Sequence, residues 1–176
     1  DDDFKRQVRM DPALWRGVSV SNYLRRMDRA GIERSLLIAV RAGDMRVRGS
    51  FEVPYERVAR VCAKHPDRFS GLAGVDPFRG ISQLRDLDYA VNELGFVGAH
   101  LYPHWFGLAP DHAKYYPIYA RCAELDIPIV VAGGPLAGDA KSTLKDITDS
   151  IAAGAQGVVV GRKVWQRPAE ETSWLI

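Results

Sequence analysis

Five short apolar runs constrain the fold of this chain more than any other feature: RSLLIAV (34–40), FSGLAGV (69–75), GFVGAHLY (95–102), IPIVVAG (127–133) and GAQGVVVG (154–161). Each is nearly continuous rather than alternating, the pattern of a strand covered on both faces. The stretches between them carry helical periodicity. VSVSNYLRRMDRAG (18–31) offers Ser19 or Ser21 as N-cap and Gly31 as stop, and PYERVARVCAKH (54–65) ends before Pro66. SQLRDLDYAVNELG (82–95) sets Leu84, Leu87, Ala90, Val91 and Leu94 on one stripe, with Gly95 as the residue after the cap. DHAKYYPIYARCAELD (111–126) contains Pro117, which predicts a kink, and AKSTLKDITDSIAAG (140–154) stops at Gly154.

Strands alternating with helices predict an α/β fold: a parallel sheet with flanking helices. A closed (β/α)8 TIM barrel takes ~250 residues, whereas the strand signals here number about five. The expected architecture is therefore an incomplete barrel-derived sheet. An open doubly wound sheet and a barrel completed by a partner both remain open. No linker or repeat divides the chain, so residues 1–176 read as one barrel-like domain.

Hydrophobic content is 47%, charged content 26% and the formal net charge +2, values that exclude a disordered chain and argue against a nucleic-acid partner. Two local arginine clusters, Arg25/Arg26/Arg29 and Arg41/Arg46/Arg48, read as solvated faces. Cys62 and Cys122 each fall inside a predicted helix and read as packed free thiols in a reducing compartment. No apolar run approaches the ~20 residues of a membrane span. The stretch DDDFKRQVRM is too polar for a signal peptide, so the expected location is cytoplasmic, with no membrane partner.

The segment GAHLYPHWFG carries the first candidate chemistry. On a parallel strand Gly98, His100 and Tyr102 share one face, while Val97, Ala99 and Leu101 make the better helix-facing surface. His100 then faces the barrel interior or sheet edge, where an imidazole binds a metal or moves protons. His104 follows beside Trp105 and Phe106, an aromatic wall for an organic substrate. Pro103 argues against a helix there, so His100 and His104 are not a helical ligand pair. Asp76 ends a strand before Pro77 and is either catalytic or a turn former. His65 reads as a charge partner at a helix end, and His112 as a first-turn residue. Two glycine turns, Gly133-Gly134 and Gly161-Arg162, end neighbouring strands and offer backbone N–H groups to an anion.

The stretch GFVGAHLYPHWFGLAPDHAKYYPIYARCAELDIPI, together with YLRRMDRAGIERSLLIAV and HPDRFSGLAGVDP, resembles the amidohydrolase-related (β/α)-barrel proteins, a group that includes metal-dependent decarboxylases. The resemblance covers residues 1–130. It implies a divalent metal, zinc or manganese, held by a His-x-His pair after the first barrel strand, a later strand-end His and a late Asp. The chain starts at Asp1, past the expected end of that first strand, and the strand after AELDIPI runs into VVAGG. The implied ligand set is incomplete, and no metal ligand is assigned. From IPIVVAGGPLAGDAKSTLKDITDSIAAGAQGVVVGRKVWQRP onward the chain resembles the last strands of archaeal-type class I fructose-bisphosphate aldolases. That resemblance implies phosphate binding at Gly133, Gly134, Gly161 and Arg162. Lys141, Lys145 and Lys163 do not match the Schiff-base lysine of those enzymes.

The chain thus reads as a chimera joined near 127–131, with an amidohydrolase-like part (1–130) and an aldolase-like part (131–176). The leading expectation is a carbon–carbon lyase or hydrolase of small organic acids, impaired by missing ligands, with His100, His104 and Asp76 as catalytic candidates. One alternative is aldolase-like binding of a phosphorylated substrate. The other is a non-catalytic half-barrel scaffold whose open sheet edge drives homo-oligomerisation.

Overall fold

The computed structural model describes residues 17–47 and 49–131, together with isolated positions 6, 141, 144, 145, 148, 152 and 161. The chain divides into two compact units, 1–129 and 130–176, and the description that follows concerns the first. Its elements in order are α1 (Val20–Arg29), β1 (Ser35–Ala39), β2 (Arg41–Ala42), β3 (Phe51–Glu52), α2 (Tyr55–Lys64), β4 (Phe69–Gly74), α3 (Ile81–Asn92), β5 (Gly98–Leu101), the one-turn α4 (Pro103–Phe106), a 3-10 turn (Ala113–Tyr115) and α5 (Tyr116–Glu124). A short strand, β6 (Ile129–Val131), follows.

The main sheet has the order β1-β4-β5-β6. β1 pairs parallel with β4 and β4 with β5, in registers that place Ala39 opposite Ala73, Ala73 opposite Ala99, and Gly74 opposite His100. Ala99 N–H donates to the Pro128 carbonyl at 2.9 Å. Four of the five apolar runs thus supply main-sheet strands, and of the fifth, 154–161, only position 161 is described.

Local chemistry explains the helix ends. Ser19 caps α1, its Oγ accepting from Asn22 N–H, and Gly31 follows the helix with φ +67°. α2 stops where His65 precedes Pro66, because a residue before proline is pushed out of the helical region. Two expectations about proline are corrected. Pro117 lies in the first turn of α5, where its missing N–H has no intrahelical partner to lose, so it starts the helix rather than kinking it. Pro103 likewise opens α4 instead of preventing it. α3 ends at Asn92 with Glu93 as C-cap, so Gly95 lies two residues past the cap rather than one.

Side-chain alternation divides the sheet into two unlike faces. Ala39, Ala73, Val75, Ala99 and Leu101 share one buried cluster with Tyr55 and Val58 of α2, Leu87 and Ala90 of α3, and Ile118 and Cys122 of α5. Phe69, on the same strand parity, stacks with Tyr23 of α1 at 5.9 Å. The described helices that pack on these strands therefore lie on one side. The other parity carries Leu36, Ile38, Leu72, Gly98 and His100. One-sided packing matches a segment of a (β/α) barrel, whose inner face points at other strands, rather than a doubly wound sheet with helices on both sides.

Gly74 shows how closely β1 and β4 approach. A Cβ there would fall on the Ala39 carbonyl oxygen and lie 2.6 Å from Arg41 N, and backbone atoms cannot swing aside. Gly74→Ala is expected to lower stability by about 1–3 kcal/mol, the range for overpacking. Urea unfolding checks this through a lower midpoint at unchanged slope; an unchanged midpoint would mean the two strands separate at no cost.

Candidate functional site

Parallel strands deliver their C-terminal ends to one edge, where folds of this kind hold ligands. Three loops leave that edge: the segment after β1, which returns through the antiparallel β2–β3 pair, then Val75–Pro77 after β4, and Tyr102 onward after β5.

Arg41, first residue of β2, organises the edge. It is 7% exposed, which corrects the reading of its cluster as solvated. Arg46 of the same cluster is exposed and pairs with Asp44, and Arg48 lies outside the described residues. The Arg41 guanidinium donates through Nη1 to Gln83 Oε1 and to Asp86 Oδ2, both at 2.8 Å. Its Nε lies 3.4 Å from Glu52 Oε1, and its Cζ sits 4.4 Å above the Tyr55 ring. Tyr55 donates its hydroxyl proton to the Gly74 carbonyl at 2.6 Å, and burial raises its pKa. Gln83 Oε1 also accepts from Asp76 N–H at 2.8 Å. One buried amide thus joins the start of β2 to the turn after β4. Arg79 closes the ring of charge at 3.4 Å from Asp86 and 3.7 Å from Glu52.

His100 sits on the face away from the helices, one residue before the end of β5. It is 3% exposed, and among the described residues its Nδ1 has no hydrogen-bond partner. Burial lowers its pKa from 6.5 to about 4, so the imidazole is uncharged at neutral pH. The Tyr102 ring lies 4.3 Å from it. Around them stands an aromatic rim. Tyr102 meets His104 at 6.0 Å, His104 meets Trp105 at 6.1 Å, Trp105 meets Phe51 edge-on at 5.6 Å, and Phe106 meets Phe78 at 6.1 Å. The Lys114 ammonium stands 5.0 Å above the Phe78 ring. Gly43, at φ +82°, lets the loop after β1 pass under this rim, since a Cβ there would strike Ser50 Oγ and lie 3.5 Å from the Trp105 carbonyl.

The structure gathers His100 and His104 at this edge through Tyr102, with Asp76 at the neighbouring strand end. Asp76 Oδ1 accepts from Phe78 N–H at 2.8 Å, so one oxygen holds the turn. His65 caps α2 and meets Phe69 edge-on at 5.9 Å, far from the edge. His112 caps the 3-10 turn, its Nδ1 accepting from Lys114 N–H at 3.2 Å. Gly133, Gly134 and Arg162 lie outside the described residues, and Gly161 is described only in isolation. Tyr115 was not singled out from the sequence. It is fully buried, its hydroxyl has no hydrogen-bond partner among the described residues, and burial, with Tyr119 and Asp76 adding to it, pushes its pKa up to about 12. Its doublet, Tyr115-Tyr116, looks alike in sequence, and only the helix phase separates the buried ring from the exposed one.

The sequence model of the amidohydrolase family matches residues 8–158. The chain belongs to that family. The match runs across 127–131, where the sequence leads us to expect a join between two families. Among curated relatives, the chain is 35% identical over 124 residues to a gamma-resorcylate decarboxylase of Rhodococcus jostii, covering 62% of this chain and 32% of that protein. It is 31% identical over 111 residues to a 2-keto-4-carboxy-3-hexenedioate hydratase of Sphingobium sp., covering 56% of this chain and 31% of that one. The chain therefore spans about a third of the length of these relatives. Among solved structures, an uncharacterised TIM-barrel protein from Bordetella bronchiseptica is 21% identical at a TM-score of 0.60, over 98% of this chain and 61% of that one. A dihydroxybenzoic acid decarboxylase from Polaromonas sp. JS666, solved with bound manganese and 2-nitroresorcinol, is 25% identical at a TM-score of 0.56, over 83% and 49%.

Such relatives imply a metal. Among the described residues of the amidohydrolase-family chain, no three His, Cys, Asp or Glu side chains converge to hold one. The described donors do not by themselves fit a metal centre.

The charge network has a direct test. Arg41→Ala removes the buried cation between the Asp86 and Glu52 carboxylates and leaves them only the longer contacts to Arg79. Both are about one-third exposed, which discounts the full penalty for breaking a buried pair. A loss of about 2–4 kcal/mol is expected in urea unfolding. A loss below about 0.5 kcal/mol would place Arg41 among ordinary surface charges.

Proposed function

We propose that this chain forms one wall of the active site of an amidohydrolase-family lyase acting on a small aromatic carboxylic acid, with loss of carbon dioxide as the reaction. The observation that carries this reading is His100: a buried, uncharged imidazole whose Nδ1 has no partner among the described residues, set below a rim of aromatic rings. Its similarity to a decarboxylase over much of the chain supports the same choice.

In this reading Trp105, Phe106 and Phe78 take the substrate ring, since aromatic faces pack offset or edge-on. Lys114 supplies the positive charge at the mouth for the carboxylate. His100, being neutral, offers a nitrogen either to accept a phenolic O–H or to donate to a carboxylate oxygen, depending on its tautomer. Decarboxylation exchanges a C–CO2 bond for a C–H bond, so one proton must reach the ring carbon. Asp76 and His104 are the proposed acid–base groups at the edge, and His104 is the more exposed of the two.

Calorimetric titration of the chain with gamma-resorcylate tests the binding half. Saturable one-to-one binding is expected, weakened about tenfold in Trp105→Ala, where ring contact is lost. Lys114→Met is expected to weaken it about threefold, as for an exposed charge contact. No saturation, or equal affinity in both variants, would refute the site. Carbon dioxide release measured with added manganese then separates decarboxylation from hydration, which releases none.

A further inference from the structure

We propose that the groove between α1 and α2, on the outside of the sheet, binds a small amphipathic anion: a carboxylate or phosphate head on an apolar body. The groove encloses 360 Å3 and is lined by Val20, Arg57, Arg60, Val61, Lys64 and His65. It is separate from the aromatic rim. Tyr55, Val58, Ala59 and Cys62 turn one stripe of α2 to the core, whereas Arg57, Arg60, Val61 and Lys64 recur at i, i+3, i+4 and i+7 on another.

Two observations define the ligand. First, the lining holds three cationic side chains and no acid, and among the described residues neither Arg57, Arg60 nor Lys64 pairs with a carboxylate. Five arginines of this unit, Arg41, Arg46, Arg68, Arg79 and Arg121, each meet at least one Asp or Glu, whereas Arg25, Arg26 and Arg29 of α1, beside the groove, share its lack of a carboxylate partner among the described residues. The surplus is regional. α1 and α2 together carry six basic side chains against two acidic ones, an excess of four where the whole chain has two. Second, Val20 and Val61 give the groove apolar walls, and the aliphatic stems of Arg and Lys extend them while their heads stay at the rim. A bare ion would leave the apolar walls unused, and a neutral hydrocarbon would leave the three charges unanswered. A head-and-tail anion satisfies both.

The probes are octanoate, octyl phosphate, inorganic phosphate and the neutral 1-octanol, each titrated calorimetrically into the intact chain at low and high ionic strength. Octanoate or octyl phosphate is expected to bind one-to-one, and whichever is tighter names the head group. Affinity should fall at high salt, because the charges stand at the surface. Arg57→Ala/Arg60→Ala should weaken binding about tenfold or more, and Val61→Trp, which fills the groove and keeps every charge, should abolish it. If the double variant does not fold by circular dichroism, Lys64→Ala with Val61→Trp carries the same test. Absence of saturable binding, equal affinity for inorganic phosphate and octyl phosphate, binding of 1-octanol as tight as octanoate, or binding unchanged by Val61→Trp would each overturn the proposal. The last of these would indicate a diffuse basic surface for polyanions.

Discussion

Arg41 is the residue on which the C-terminal edge of the sheet depends. A guanidinium taken out of water is costly unless its donors and charge are answered. Here the answer comes from four residues on three elements: Glu52 on β3, Tyr55 on α2, and Gln83 and Asp86 on α3. The contacts that offset the burial also fix those elements relative to the start of β2. Gln83 extends the network to Asp76 N–H, and Tyr55 extends it to the Gly74 carbonyl. The turn after β4 therefore inherits its position from a charge carried on β2.

A second consequence follows from strand alternation. Because α1, α2, α3 and α5 cover one parity of side chains, the other parity is left for chemistry. In a complete barrel that face is the interior, and the catalytic edge is where the strands end. His100 belongs to this parity and lies near that edge. Gly74 opposite it and Gly98 two residues before it have no space for a Cβ, since the Ala39 carbonyl at the first and Leu72 and the Pro128 carbonyl at the second already fill it, so the strands close tightly beside the imidazole. Desolvation keeps the ring neutral, the state in which an imidazole nitrogen can act as acceptor or ligand.

Much of the fold was legible in the sequence. The strand runs at 34–40, 69–75 and 95–102 contain β1, β4 and β5, and Ser19, Gly31 and Pro66 mark helix ends for the reasons that capping chemistry supplies. The assignment of Ala99 and Leu101 to the helix side and His100 to the other was also readable, because period two leaves only two choices. Arg41 was not. A lone arginine beside Arg46 and Arg48 looks solvated, and its partners lie 11 to 45 residues away. The β2–β3 pair escaped notice because two-residue strands carry no periodicity. Pro103 was misread because proline forbids helix interiors but favours first turns, and sequence alone did not say where the helix began. The aromatic rim was legible only in part: Trp105 and Phe106 stood beside His104, whereas Phe51 and Phe78 come from distant loops.

The central claim is that His100 is a buried, uncharged imidazole on the non-helical face of the sheet. Its folded pKa lies below the unfolded value, so its neutral burial favours the fold at neutral pH. That contribution is lost as pH falls from about 6.5 toward about 4, where the unfolded chain binds the proton first. Nitrogen-15 NMR of the histidine side chains, assigned with His100→Gln, measures this directly. The account predicts that His100 remains neutral down to pH 5 and protonates near 4. A His100 that titrates near 6.5, as a solvated imidazole does, would contradict it.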